Sequence, residues 1–146
     1  MRGQTLGQQS DVRRDRTDFY VYEAEALALV SLTAATDIIT IEADSNFVLQ
    51  KLNYIADIAA AAFTDSTRPI PLITIQLTDT GSGRNLMSNP VPIPSIFGTG
   101  QLPFILPNPR VFLRNSTIQV AFANFDAAVT YNIRLSFIGY KIYTSA

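Results

Sequence analysis

The chain has 146 residues, a formal net charge of −1, and neither histidine nor cysteine. Without those side chains there is no near-neutral general base of the usual kind, no thiolate nucleophile and no soft metal ligand, which excludes most catalytic designs and any disulfide framework. Charged residues make up 16% of the chain, against about 25% in an average soluble domain, too few to coat a monomer well. A length near 150 suits one β-domain, able to bury roughly 68–70% of its unfolded surface. Copies with so little net charge scarcely repel one another, which favours life in an assembly.

Residues 1–18 form a polar arm in which Met1, Leu6 and Val12 are the large apolar residues, and Arg2, Arg13, Arg14 and Arg16 alternate with Asp11, Asp15 and Asp18. Such a segment cannot bury enough apolar surface to order itself, so it reads as an arm that orders against a partner. It lacks the apolar run of a secretory signal, and no stretch of the chain reaches the roughly 18 apolar residues that a membrane span needs. From residue 19 the spacing of apolar and β-branched residues predicts strands over 19–32, 38–43, 47–58 and 72–78. The alanines within 59–68 favour helix, but Pro69 and Pro71 follow closely, and the segment reads as a loop with room for one helical turn.

Six of the eight prolines fall within 89–110, interleaved with Phe97, Leu102, Phe104, Ile105 and Leu106. Each proline lacks an N–H and fixes its φ, so this segment is expected to be neither helix nor central strand but a stiff extended excursion. Its apolar side chains need a surface, either the domain's own sandwich edge or a neighbouring subunit. Strand patterns resume at 111–114, 117–123 and 129–143, with 124–127 as a turn. Together these elements predict an all-β fold: one β-sandwich over 19–146, a jelly roll of about eight antiparallel strands. An immunoglobulin-like sandwich would lack its usual Cys and Trp residues here.

Motifs that could carry chemistry are sparse. Glu23 and Glu25, and Glu42 and Asp44, stand two apart on strand patterns and so share a face, as a carboxylate dyad or a Ca²⁺ site would require. Alternating acids on a strand ordinarily mark its solvated face, which is the reading adopted. Gly81-Ser82-Gly83-Arg84 lacks the lysine and following helix of a phosphate loop and reads as a hairpin turn. Asn115-Ser116-Thr117 is a sequon with no secretory signal ahead of it. The arm's arginines alternate with acids, which suits a protein surface better than a phosphate backbone, and the aromatics of the first and last strands suit core or interface better than base stacking. No catalytic, metal or cofactor site is predicted, and no membrane or direct nucleic-acid partner. The protein-interface candidates are Arg13, Arg14 and Arg16 of the arm and Phe97, Leu102, Phe104 and Leu106 of the proline segment.

Four runs, Glu42-Ala43-Asp44-Ser45-Asn46-Phe47-Val48-Leu49, Ile75 through Arg84, Ile96-Phe97-Gly98-Thr99-Gly100, and Phe137-Ile138-Gly139-Tyr140-Lys141, occur in an order that resembles small jelly-roll cement, or decoration, proteins of tailed-bacteriophage heads. The resemblance covers residues 19–143 and rests on turns and strand ends. It implies a virion structural protein made in the bacterial cytoplasm, homo-oligomeric as a dimer or trimer. Such a protein binds the outside of the capsid, bridges subunits of the major capsid protein and stabilises the head. Two other classes fit the composition: a tail- or baseplate-associated sandwich that binds carbohydrate through an open aromatic platform beside paired acids, and, third, a carboxylate-based hydrolase.

Overall fold

The alternation in the sequence becomes two packed sheets in a computed structural model that describes residues 16–59 and 69–143. The elements are β1 (Arg16–Leu29), β2 (Ala34–Thr40), β3 (Ser45–Ile58), β4 (Ile73–Asp79), the two-residue strands β5 (Arg84–Asn85) and β6 (Val91–Pro92), a single helical turn α1 (Ile93–Ile96), β7 (Phe104–Phe112), β8 (Thr117–Asn124) and β9 (Tyr131–Tyr143). One sheet has the order β1-β9-β3-β7; the other has the order β2-β8-β4-β5, with β6 also on β4. Every pairing between named strands is antiparallel. Successive long strands alternate between the sheets and return beside the first, which is the jelly-roll arrangement.

Inward-facing positions follow the period of two that a pleated strand imposes. Tyr22, Ala24 and Ala26 of β1, with Ile133, Leu135 and Phe137 of the neighbouring β9, face Ile73, Ile75 and Leu77 of β4 and Ile118, Val120 and Phe122 of β8 in one core. The larger rings pack edge to face, Tyr22 on Phe47 with centroids 4.9 Å apart and Phe97 on Phe137 at 6.0 Å. β3 carries one extra residue, Gln50, between Leu49 and Lys51 against β9, whereas against β7 the surplus lies on β7, whose Leu106, Pro107, Asn108 and Pro109 fall between the partners of those two residues. At the far end of β1 the register against β9 breaks between Ala26 and Leu29. There Ala28 takes a positive φ, and its N–H donates to Asn132 Oδ1 at 2.7 Å.

Two features of the proline segment differ from the sequence expectation. Ile93–Ile96 is one turn of helix with Pro94 in its first turn, where the missing N–H costs nothing because that donor has no helical partner. β7 is a true strand rather than a free excursion, and it occupies a sheet edge as its prolines require. Pro107 and Pro109 fall in the stretch between Ile105 and Arg110 that is out of register with β3, so no ladder hydrogen bond is forfeited. β1 likewise begins at Arg16, so Arg16, Thr17 and Asp18, read from composition as arm, pair with Tyr143, Ile142 and Lys141. The helical turn considered within 59–68 falls, apart from Ala59, outside the described residues. None of the described helices is long and apolar enough to cross a membrane.

Candidate functional site

Three of the four acids that could have carried chemistry, Glu25, Glu42 and Asp44, are tied into structural pairs. Glu42 and Asp44 lie in the β2–β3 connection and close over Lys141, whose side chain is only 3% exposed; its Nζ bonds Glu42 Oε1 and lies 3.5 Å from Asp44 Oδ1. The ammonium also stands 4.0 Å above the Tyr20 ring. Burial pulls the Lys141 proton off, but the Glu42 hydrogen bond and the charges of Tyr22, Glu42 and Asp44 outweigh it and hold the group above its ordinary value. Burial pushes the Tyr22 phenol up as well, although its oxygen accepts from the Glu42 N–H at 3.1 Å. Glu25 pairs with Arg134 at 3.3 Å on the outer face of β1, where Glu23 is also exposed. No group of three metal-ligating side chains occurs among the described residues.

Between the sheets, the buried Asp79 at the end of β4 accepts from Arg110 Nη2 of β7 at 2.9 Å and, through Oδ1, from the Gly81 N–H at 3.0 Å. The loop Thr80–Gly83 is the hairpin that the glycines suggest, with Gly83 at φ +69° closing the β4–β5 turn. A groove of about 420 Å³ lies between this loop and the β7 irregularity, and its polar floor is the Asp79–Arg110 pair itself.

The interface candidates scatter. Arg13 and Arg14 lie outside the described residues. Arg16 is exposed, with its guanidinium 4.1 Å from the Tyr143 ring centroid and 3.8 Å from Asp18. Phe97 is 3% exposed and belongs to the core, so the partner it needs is the domain itself. A backbone bridge fixes it there: Gly98 N–H donates to Leu52 O at 3.0 Å, and Tyr54 N–H to Gly98 O at 2.8 Å. Phe104 and Leu106 are partly buried against the same core. Leu102 stands out into solvent.

Leu102 is one of several. The chain reversals at one end of the sandwich carry Val30 and Leu32 in the β1–β2 turn, Ile70 and Leu72 before β4 and Phe125 after β8, all exposed, whereas Leu102 precedes β7 beside the middle of β3. The opposite end presents Glu42, Asp44, Ser82, Arg84 and Asn115. The apolar end is held rigid by Asn124, which is buried. Its Nδ2 donates to Leu29 O at 3.1 Å and Val129 O at 3.0 Å, and its Oδ1 accepts from Asp126 N–H at 2.9 Å. Backbone bonds from Asn124 N–H to Thr33 O (2.8 Å) and from Phe125 N–H to Leu72 O (2.9 Å) tie three reversals together. Asp126 accepts from Ala128 N–H, Val129 N–H and the Tyr131 hydroxyl, bonds that hold its carboxyl below the usual value. Leu32 sits at φ +57°, a conformation that a bulky side chain rarely takes.

A second apolar surface lies on the outer face of the first sheet. Register places Phe19, Tyr140, Val48 and Val111 in one row across β1, β9, β3 and β7, and Val21, Ile138, Lys51 and Ile105 in the next. Val48 stands outside the core cluster although it is well covered, as an outward residue flanked on both sides would be. Further along, the face turns polar with Glu23, Ser136 and Asn53. Sequence reasoning read the aromatics here as core or interface without separating the two; the signal was in β9, where Asn132, Arg134 and Ser136 give way to Ile138 and Tyr140 at outward positions.

No known protein family, curated protein or solved structure matches the chain.

Proposed function

We propose that the protein is a structural decoration protein of a bacteriophage head, which binds the outside of the capsid, bridges major capsid subunits and stabilises the shell. One observation carries the reading: a rigid end of the jelly roll presents five exposed apolar side chains, Val30, Leu32, Ile70, Leu72 and Phe125, on tied chain reversals. Fully burying one such side chain is worth roughly 1.5–3 kcal/mol, and a repeated lattice multiplies modest contacts through effective concentration. The resemblance of residues 19–143 to head cement proteins points the same way. A glycan-binding role calls for open aromatic rings beside paired acids, whereas Lys141 occupies the space between Glu42, Asp44 and the Tyr20 ring.

The test uses heads assembled without this chain, to which wild type or the double variant Leu32→Asp, Phe125→Asp is added. Wild type is expected to co-sediment with the heads and raise the temperature at which they break, while the folded double variant does neither. Heads that break at the same temperature with and without wild type would overturn the reading.

A further inference from the structure

We propose that the outer face of the first sheet is the interface of a homodimer, in which two copies pack these faces together about a two-fold axis. This stands apart from shell binding, which is assigned to the loop end. Phe19, Ile105, Val111 and Val21 keep 75, 65, 50 and 38% of their surface open. At about 150–200 Å² for a fully open large side chain, these four and the mostly covered Tyr140 and Ile138 leave roughly 500 Å² of contiguous apolar surface, in the upper range of what a monomer carries. Facing two such bands removes about 1,000 Å² before any rim is counted, the area from which specific interfaces begin. Flat sheet faces pack on one another at about 10 Å in an aligned fashion, as they do inside sandwiches.

Three observations favour a second copy over other occupants. The rest of this sequence has little to lay on the band, since residues 1–15 and 60–68 contribute only Met1, Leu6, Val12 and Phe63 as large apolar residues and residues 144–146 contribute none. A net charge of −1 puts almost no repulsion between copies. The charges at the band are complementary under a two-fold axis: Lys51 lies within it on β3 and Glu23 borders it on β1. An axis parallel to the strands lays β1 of one copy over β7 of the other. Glu23 of one copy then falls one strand and one row from Lys51 of the other, within reach of two long side chains, and symmetry repeats the contact. Association by strand edges is disfavoured, because Pro107 and Pro109 deprive β7 of donors and the β1 edge is approached by β2, where Asp37 Oδ2 accepts from Glu25 N–H at 2.8 Å.

Sedimentation velocity on the full chain at tens of micromolar reads the result, with circular dichroism confirming that each variant is folded. Wild type is expected to sediment as a dimer, and the double variant Phe19→Glu, Ile105→Glu, altered only at exposed positions, as a monomer. Leu32→Asp, at the loop end, should remain dimeric. Glu23→Lys should weaken the dimer several-fold, and adding Lys51→Glu should restore it. A monomeric or trimeric wild type, a dimer that survives the Phe19/Ile105 change, a loss of dimer in Leu32→Asp, or a charge reversal that restores nothing would each overturn the proposal.

Discussion

Replacing Gly139 by alanine tests the packing of the two central strands of the first sheet. Gly139 faces inward on β9 opposite Leu49, next to the extra residue in β3. A Cβ built there falls on the Val48 carbonyl oxygen, and lies 2.9 Å from the Val48 carbonyl carbon and 3.2 Å from Leu49 Cα. All three are backbone atoms, so no side chain can swing away to make room. β9 lies between β1 and β3 and cannot retreat from one without disturbing its ladder with the other. Overpacking alone costs about 1–3 kcal/mol, and losing one or two ladder hydrogen bonds adds about 1 kcal/mol each. A total near 4 kcal/mol is a large share of the roughly 5–15 kcal/mol that holds a domain together. For a chain of this size it corresponds to a melting midpoint lower by about 12 °C. Gly100→Ala, whose added Cβ meets nothing within 4 Å, serves as the control and should stay within about 0.5 kcal/mol of wild type. Thermal melting followed by circular dichroism reads both; a Gly139→Ala midpoint within about 3 °C of wild type would refute the reasoning.

Two further changes probe the ends of the molecule. Lys141→Met should cost about 1–2 kcal/mol in a denaturant titration, a modest figure because Glu42 and Asp44 are half-exposed and their pairing with Lys141 is screened. Lys141 and Tyr22 both hold their protons above their ordinary values of 10.5 and 10.0. The stability they give is therefore complete below pH 10 and falls as pH rises through 10.5 and beyond; melting across that window should show a steep alkaline decline that Lys141→Met flattens. Leu32→Gly relieves the left-handed backbone, a gain of about 1–2 kcal/mol against an added unfolded-state entropy of about 0.5–1 kcal/mol, so melting should hold steady or rise slightly. The same change removes an apolar tip and should weaken binding to heads; a fall in melting midpoint with full binding would contradict both parts.

The strands were legible because the core is written with a period of two: Ile73, Ile75 and Leu77 alternate with Thr74, Gln76 and Thr78 in β4, and Ile118, Val120 and Phe122 alternate in β8. The proline-bearing strand was read as an excursion because its ladder bonds sit at its two ends, on either side of Pro107 and Pro109, a pairing that only tertiary register defines. Phe97 was legible as a residue needing a partner, but not as one whose partner is Phe137, 40 residues away in sequence. The apolar outer face was hidden by an inversion in β9. There Gly139 and Lys141 occupy inward positions while Ile138 and Tyr140 face out, so counting apolar residues assigns the wrong side. Asn124, which organises the loop end, looks like an ordinary turn residue until the three reversals around it are placed in space.

Arg16 and Tyr143 are direct partners in the β1–β9 ladder, at the polar end of the sandwich. The first and last described residues therefore leave the domain side by side, on the side away from Val30, Leu32, Leu72 and Phe125. A polypeptide fused ahead of residue 16 or beyond residue 143 is attached far from the apolar tips and leaves them open to contact. The same adjacency makes the molecule suited to circular permutation, since a short linker could join the two strand ends and new termini could be opened in the exposed Thr80–Gly83 turn without interrupting any long strand.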